Sequence, residues 1–309
     1  YETVEPIARQ IAERQGFKGI RWMKMTDPSG LEAPSKVGSF LIWQQPHLIY
    51  LAELLYRANP SEELLKKYNN LIQEPAEFMY SFATYEEEHD RYVLKGAIPA
   101  QETLRAAETV NPPFELSYWH FAMQVSQTWR ERRGMERVPE WDVLIEKLSP
   151  LAYNDEQLYL AAETAVDTYK DIRFTSDHMA VLGAVGILPM NQLIHAGYMK
   201  NTLHWIWDNW NWDKTWGWDY PMTAMNAARM GEPVKAVSAL LMDKRTNTYL
   251  VNGHNYQDGR LRIYLPGNGG LLTTVAMMCA GWDGSEGNNP GFPKDGKWNV
   301  RWEGLQPLP

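Results

Sequence analysis

The chain has 309 residues, long enough to bury the core of one large domain or two ordinary ones. Its net charge of -8 and pI near 5.5 argue against a nucleic-acid partner, because a phosphate backbone requires a basic face. The single cysteine excludes an internal disulfide, and no apolar run is long enough to predict a membrane partner.

The first half of the chain shows helical periodicity. The segment Asn59-Pro60-Ser61-Glu62 predicts a helix start, since it combines a capping residue, a proline and an acidic residue. Pro75 is expected to end or kink this helix, because proline lacks an amide donor. Further helices are predicted near residues 5–14, 41–57, 114–132 and 140–148.

The second half also predicts helices, with few strands. Residues 221–230 and 233–242 are expected to form a helical hairpin with almost no linker, since Gly231 closes one helix and Pro233 opens the next. Other helices are predicted near 178–188, 191–209 and 271–280. The best strand signals are short and lie at 248–251 and 261–265.

Long loops rich in Trp, Tyr, His and carboxylates separate these helices, and loops longer than about 12–15 residues are commonly functional. The most unusual one follows a helix and places six tryptophans within residues 205–218. Flat rings beside aspartates suit the apolar faces and hydroxyls of a sugar. Plain aromatic packing at a helix end is the alternative.

Three segments, in a set order along the chain, carry a family resemblance. Lys95-Gly96-Ala97-Ile98-Pro99-Ala100-Gln101-Glu102-Thr103, with Asn111 and the helix from Phe114, is similar to a general-acid loop and the barrel helix after it. Residues 16–47 resemble a substrate-facing loop and helix, and residues 213–231 a late loop and helix that carry a second carboxylate. These are segments of six-hairpin glycosidases related to glycoside hydrolase families 65 and 95.

The resemblance implies an all-α fold, the (α/α)6 barrel of six hairpins, as a single catalytic domain over residues 1–309. A complete barrel of this type has twelve helices and is usually preceded by a β-sandwich, whereas about nine or ten helices and no sandwich are predicted here. We therefore expect that N-terminal helices and the sandwich are missing, or that the barrel is incomplete or is closed by another copy. The chain opens at Tyr1, which fits a mature or truncated product and leaves the compartment open.

The same resemblance implies a hydrolase that cleaves O-glycosidic bonds of an oligo- or polysaccharide with inversion, with Glu102 as the acid. Few charged residues precede Glu102, and such a setting would raise its pKa. Asp219 is preferred as the base over Asp213, because a helix start stabilises an ionised carboxylate. Each residue also has a structural alternative: Glu102 as a solvated loop glutamate, Asp219 as a helix cap and Asp213 as a water-facing aspartate.

Candidate substrate ligands are side chains at loop-to-helix junctions that form hydrogen bonds to hydroxyls or stack on sugar rings. Each of these residue types is more often structural, so their concentration at the junctions is the argument. The candidates are Trp22, Asp27, Glu32, Trp43, Gln44, Gln45, His47, Trp119, Asp177, His178, Trp216, Trp218, Asn252 and His254.

The sequence offers no metal or cofactor motif, since it has neither zinc-ligand spacing nor a calcium loop. The glycine-rich segment 266–271 could bind an anion at a helix start, which favours a glycoside phosphorylase, a class that occurs in family 65. A tight turn and close packing explain it equally well. The remaining alternative is a carbohydrate-binding protein with an inactive barrel site, and carbohydrate is the expected partner in every case.

Overall fold

Helices dominate the structure, a computed structural model that describes residues 1–309. It contains ten α-helices and four strands of two or three residues, which form two separate antiparallel pairs. The predicted all-α class is therefore confirmed. None of the helices combines the length and the apolar character that crossing a membrane requires.

The chain divides into two compact units. The first consists of residues 1–151 and 162–164, and the second of residues 152–161 and 165–309. A single domain over residues 1–309 stays a prediction.

The first unit is built around one long helix, α5 (Pro113–Arg132), which contacts α2 (His47–Ala58), α4 (Asn69–Phe82) and α6 (Pro139–Lys147). Trp119 and Trp129 of α5 are completely buried, and their indole N–H groups donate to the carbonyls of Met79 and Leu65. The elements are α1 (Glu5–Arg14), α2 (His47–Ala58), α3 (Glu62–Lys67), α4 (Asn69–Phe82), β1 (Thr84–Glu86), β2 (Arg91–Val93), α5 (Pro113–Arg132) and α6 (Pro139–Lys147).

The predicted helix start after Asn59 lies at Ser61, whose hydroxyl accepts a hydrogen bond of 3.2 Å from the Leu64 N–H. The prediction that the helix ends at Pro75 is wrong. The break comes at Tyr68, and Pro75 is buried inside α4. Packing of α4 against α5 offsets the one backbone hydrogen bond that this proline cannot form.

The second unit is centred on α8 (Asp219–Arg229), which packs against α7 (Ala196–Asn209), α9 (Pro233–Leu240) and α10 (Leu265–Ala280). The predicted helical hairpin is confirmed, since only Met230, Gly231 and Glu232 separate α8 from α9. The elements are α7 (Ala196–Asn209), α8 (Asp219–Arg229), α9 (Pro233–Leu240), β3 (Thr248–Tyr249), β4 (Asn255–Tyr256) and α10 (Leu265–Ala280).

Two predicted elements of this unit are wrong. Residues 178–188 contain only a short 3-10 helix, Ala180–Ala184, and all five of its residues are buried. Burial on every side removes the polar face by which periodicity distinguishes a helix. The strand predicted at 261–265 is a loop, in which the Tyr264 N–H donates to the Asn255 carbonyl just before α10 begins.

The glycine-rich segment is helical rather than a turn, because α10 begins at Leu265. A Cβ atom on Gly267 would lie 2.4 Å from Asn255 Oδ1, and one on Gly270 would lie 2.6 Å from Cγ of Pro221. Both distances are too short for any side chain. Close packing of α10 therefore accounts for these glycines.

Candidate functional site

The first unit contains a cavity of about 470 Å³, within the size range of small-ligand sites. It lies between α1, the loop after Ile20 and the segment that enters α2. Five of the predicted substrate ligands line it, and they come from two stretches of sequence that the fold brings together. They are Trp22, Asp27, Trp43, Gln44 and His47.

Lys24 connects this cavity to the predicted acid. It lines the cavity, its Nζ lies 2.9 Å from Glu102 Oε1, and it sits 5.4 Å from the centre of the Trp43 ring. The Glu102 side chain is 35% exposed, so a ligand can reach it. The few charged residues before Glu102 in the sequence therefore did not describe its surroundings. Lys24 is 78 residues away in sequence and is brought beside Glu102 by the fold.

Hydrogen bonds at both ends fix the loop that carries Glu102. Leu94 at its start and Asn111 at its end are joined by two hydrogen bonds. The Leu94 N–H donates to Asn111 Oδ1 at 2.9 Å, and the Asn111 main-chain N–H donates to the Leu94 carbonyl at 2.8 Å. Asn111 has φ of 53°, a left-handed conformation that asparagine tolerates. Further along, the Ile98 N–H donates to the carbonyl of Phe40 at 2.9 Å.

Glu115, in the first turn of α5, holds the loop that carries Glu102, a role that the sequence analysis missed. It is 1% exposed, and its Oε1 accepts the Ala100 N–H at 2.6 Å, two residues before Glu102. Its Oε2 has no hydrogen-bond partner, and burial raises its pKa to about 7. The signal in the sequence was a single acidic residue between Phe114 and Leu116.

Replacing Glu115 by Gln should change how stability depends on pH. Between its ordinary pKa of 4.5 and its folded pKa of about 7, the folded protein keeps a proton that the unfolded chain has lost. The wild type should therefore lose up to about 3 kcal/mol of stability as pH rises through this range. Glu115→Gln keeps an acceptor for Ala100 and should not show this loss in urea denaturation.

The exposed Glu108, on the same loop, provides the matched control for that measurement. Glu108→Gln should follow the wild-type profile. Parallel profiles of Glu115→Gln and the wild type from pH 4.5 to 8 would contradict the prediction.

The two adjacent glutamines differ in how their amides are used. Gln45 is bonded at both ends to the main chain, since Oε1 accepts the Trp22 N–H and Nε2 donates to the Ile20 carbonyl. Gln44 donates from Nε2 to the carbonyls of Trp22 and Leu41, and its buried Oε1 has no partner. Gln45 thus holds the cavity wall, whereas Gln44 leaves an acceptor for a ligand.

His47 and Asp27 are both engaged within the protein. His47 Nδ1 lies 2.8 Å from the Tyr118 hydroxyl, and burial lowers the pKa of His47 to about 4, so the ring is neutral near pH 7. Asp27 Oδ1 accepts hydrogen bonds from the N–H groups of Ser29 and Leu31 and from the Ser29 hydroxyl. The Ser29 hydroxyl lowers the pKa of Asp27 most, which keeps that carboxylate ionised.

Besides Gln45, two further candidates of this unit are not among the residues that line the cavity. Glu32 forms an ion pair of 2.9 Å with Arg14. Trp119 is completely buried in α5 and cannot stack on a sugar. Its role is to pack the interior.

In the second unit, Asp219 and His178 form a buried pair within the tryptophan-rich segment. Asp219 has no exposed surface, its Oδ1 lies 3.1 Å from His178 Nδ1, and its Oδ2 accepts the Trp216 N–H at 2.8 Å. Burial raises the pKa of Asp219, against the opposing effect of His178. Asp219 thus stabilises the turn at the start of α8.

The alternative base, Asp213, has the opposite environment. Its side chain is 74% exposed and forms a surface ion pair of 2.9 Å with Lys244. Of the two aspartates, only Asp213 presents its carboxylate to solvent and ligands.

The six tryptophans divide into packing rings and half-buried rings. Trp210 and Trp212 are buried, and their indole N–H groups donate to main-chain carbonyls. Trp216 and Trp218 are half-buried, their rings lie 5.6 and 4.7 Å from the His178 ring, and Trp218 Nε1 lies 2.6 Å from His178 Nδ1. Trp205 and Trp207 are half-buried as well, and their rings pack against Tyr169 and Trp212. The candidate stacking surface around His178 thus consists of two of the six rings.

The other candidates of the second unit belong to turns. The Asp177 carbonyl accepts the Trp210 indole N–H. Asn252 is exposed, and its Oδ1 accepts the His254 N–H at 3.2 Å, while Nδ1 of His254 is buried without a partner.

Comparisons with known proteins show the fold. No family model and no curated protein matches the sequence. Among solved structures, the chain resembles the "Putative kojibiose phosphorylase from human microbiome" with a TM-score of 0.61 and 9% identity, over 90% of this chain and 45% of that one. The chain therefore spans less than half the length of that protein. At this identity the likeness shows the fold alone, and the chain has an all-α fold similar to that of this neighbour.

Proposed function

We propose that the protein is a glycosidase that cleaves O-glycosidic bonds of an oligo- or polysaccharide, with Glu102 as the acid. The observation that carries the proposal is the cavity of the first unit, where two tryptophans, an amide and an imidazole converge beside Lys24 and Glu102. Aromatic rings with a few directed polar groups are typical of sugar sites. The name of the structural neighbour also supports a carbohydrate substrate.

In this proposal, Trp22 and Trp43 contact the apolar faces of the sugar, and the unpartnered Oε1 of Gln44 accepts a hydroxyl. Glu102 donates its proton to the leaving oxygen. The hydrogen bonds of Ile98 and Ala100 hold the backbone just before Glu102, so the carboxyl group has a defined position.

We propose Asp213 as the base, in place of Asp219. A base must contact the water that attacks the sugar, and the exposure of Asp213 supports this role. Asp219 is buried and bonded to His178 and Trp216, which supports a positioning role for the tryptophan-rich segment.

A phosphorylase is the second candidate, favoured by the name of the structural neighbour. In that reaction phosphate takes the place of water, and no carboxylate base is needed. The glycine-rich segment no longer supports this candidate, because packing within α10 accounts for its glycines. A binding protein without activity is the remaining alternative.

The test is release of sugar from a panel of disaccharides and aryl glycosides, with and without inorganic phosphate. We expect reducing sugar at the same rate in both conditions. Release of a sugar phosphate only when phosphate is present would replace the hydrolase by a phosphorylase. Binding of sugars by calorimetry without turnover would show the binding protein, and neither binding nor turnover would overturn the proposal.

A further inference from the structure

Three residues that line the first-unit cavity each have a buried polar atom without a hydrogen-bond partner. The atoms are Nε of Arg21, Nε1 of Trp22 and Oε1 of Gln44, and the three residues are 5%, 7% and 8% exposed. Buried polar groups without a partner are uncommon and costly in folded proteins. Two donors and one acceptor on the lining residues of one cavity fit a ligand with acceptor oxygens and a hydroxyl group.

Arg21 is also a buried cation without a carboxylate partner. Its guanidinium donates to two neutral groups, Oε1 of Gln15 at 2.6 Å and the Leu41 carbonyl at 3.3 Å. Glu32, whose charge acts on Arg21 from a distance, is paired with Arg14 instead. Burial lowers the pKa of Arg21 to about 10, so it remains charged at neutral pH. Buried charges normally have a partner of opposite sign.

The second cation of the cavity, Lys24, has Glu102 as its only ion-pair partner. The remaining charged side chain of the wall, Asp27, is occupied by the hydrogen bonds of its own turn, and His47 is neutral near pH 7. The cavity therefore presents more positive than negative charge to a ligand.

We propose that this cavity binds a sugar acid, a hexuronate unit whose carboxylate lies between Arg21 and Lys24 and whose hydroxyl donates to Gln44. The inference rests on the proposed function and names its substrate class. A guanidinium and an ammonium suit a carboxylate or a phosphate alike. The two tryptophan rings and the free Gln44 acceptor favour a sugar acid, because inorganic phosphate has no ring to stack.

The proposal also connects the substrate carboxylate to Glu102. That carboxylate competes for the Lys24 Nζ that contacts Glu102 Oε1 at 2.9 Å. Substrate binding thus releases the proposed acid from its ion pair.

The experiment is calorimetric titration of the full chain with glucuronate, galacturonate, glucose and inorganic phosphate. We expect at least one of the two uronates to bind at least about tenfold more tightly than glucose. Lys24→Gln and Arg21→Gln should each remove this preference, at a cost of about ten- to hundredfold in uronate affinity, with glucose affinity unchanged. Circular dichroism checks that the Arg21→Gln protein is folded, because Arg21 is buried. Lys24→Gln tests the loss of the uronate preference at a half-buried position.

Lys18→Gln is the matched control, since Lys18 is exposed, lies on the same segment and does not line the cavity. Equal affinities for both uronates and glucose would overturn the proposal. So would phosphate binding at the site without a uronate preference, which would identify phosphate as the anion. Turnover of neutral glycosides without preference for either glucuronides or galacturonides would overturn this inference and leave the proposed function intact. Uronate binding without turnover would support this inference and overturn the proposed function.

Discussion

Replacing Glu102 by Gln should lower kcat for glycoside cleavage by a factor of about 10² to 10⁴, the usual contribution of a general acid. The amide has the shape of the carboxyl group but cannot donate the proton that the leaving oxygen requires. Because the side chain is partly exposed and its one ion pair lies near the surface, the variant should fold normally. Steady-state kinetics on an aryl glycoside and a thermal unfolding curve measure the two effects.

Glu108→Gln is the control for this experiment, because it makes the same change at an exposed position of the same loop. Its kcat should equal that of the wild type. A Glu102→Gln protein with wild-type kcat would remove the acid assignment. An aryl glycoside with a good leaving group should show the smaller loss, because its departure needs less help from an acid.

The two aspartates of the second unit should respond in opposite ways to substitution. Asp213→Asn should lower kcat by about 10² to 10⁴ with an unchanged unfolding midpoint, since the side chain is exposed and the proposed base. Asp219→Ala should lower the free energy of unfolding by about 3–5 kcal/mol, because it removes a buried carboxylate that contacts His178 and accepts the Trp216 N–H.

Azide rescue separates a base from a positioning residue, because a small anion can replace the attacking nucleophile that a missing base would activate. Azide should restore turnover in Asp213→Ala and should have no effect on Asp219→Ala. Full activity of Asp213→Asn, together with rescue of Asp219→Ala, would reverse our assignment.

Local sequence signals predicted helices well where the pattern had one polar and one apolar side. Residues 5–14 form α1 with the predicted bounds, α5 differs from prediction by one residue at its start, and α6 by one residue at each end. The hairpin of α8 and α9 followed from Gly231 and Pro233, whose conformational preferences act within one turn. The same signals were misleading at residues 178–188, where every side of the 3-10 helix is buried.

The candidate site could be predicted only in part, because its residues were chosen by type and not by environment. Trp22, Trp43, Gln44 and His47 were predicted and line one cavity. Their neighbours Arg21 and Lys24 were missed, since a basic residue in a loop has no sequence signal that distinguishes a buried cation from a solvated one. Glu115 was missed because an acidic residue in the first turn of a helix is usually exposed, and the sequence did not show that this one is buried.

The sequence by itself determined the helical class, the hairpin and the loop that carries Glu102, because these depend on capping, periodicity and residues close together in the chain. Only the tertiary structure decided which side chains are accessible and which charges meet. It placed Lys24 beside Glu102, buried Asp219 against His178 and left Asp213 exposed. Burial and ion pairing arise from contacts between segments tens of residues apart, and local sequence patterns contain no information on such contacts.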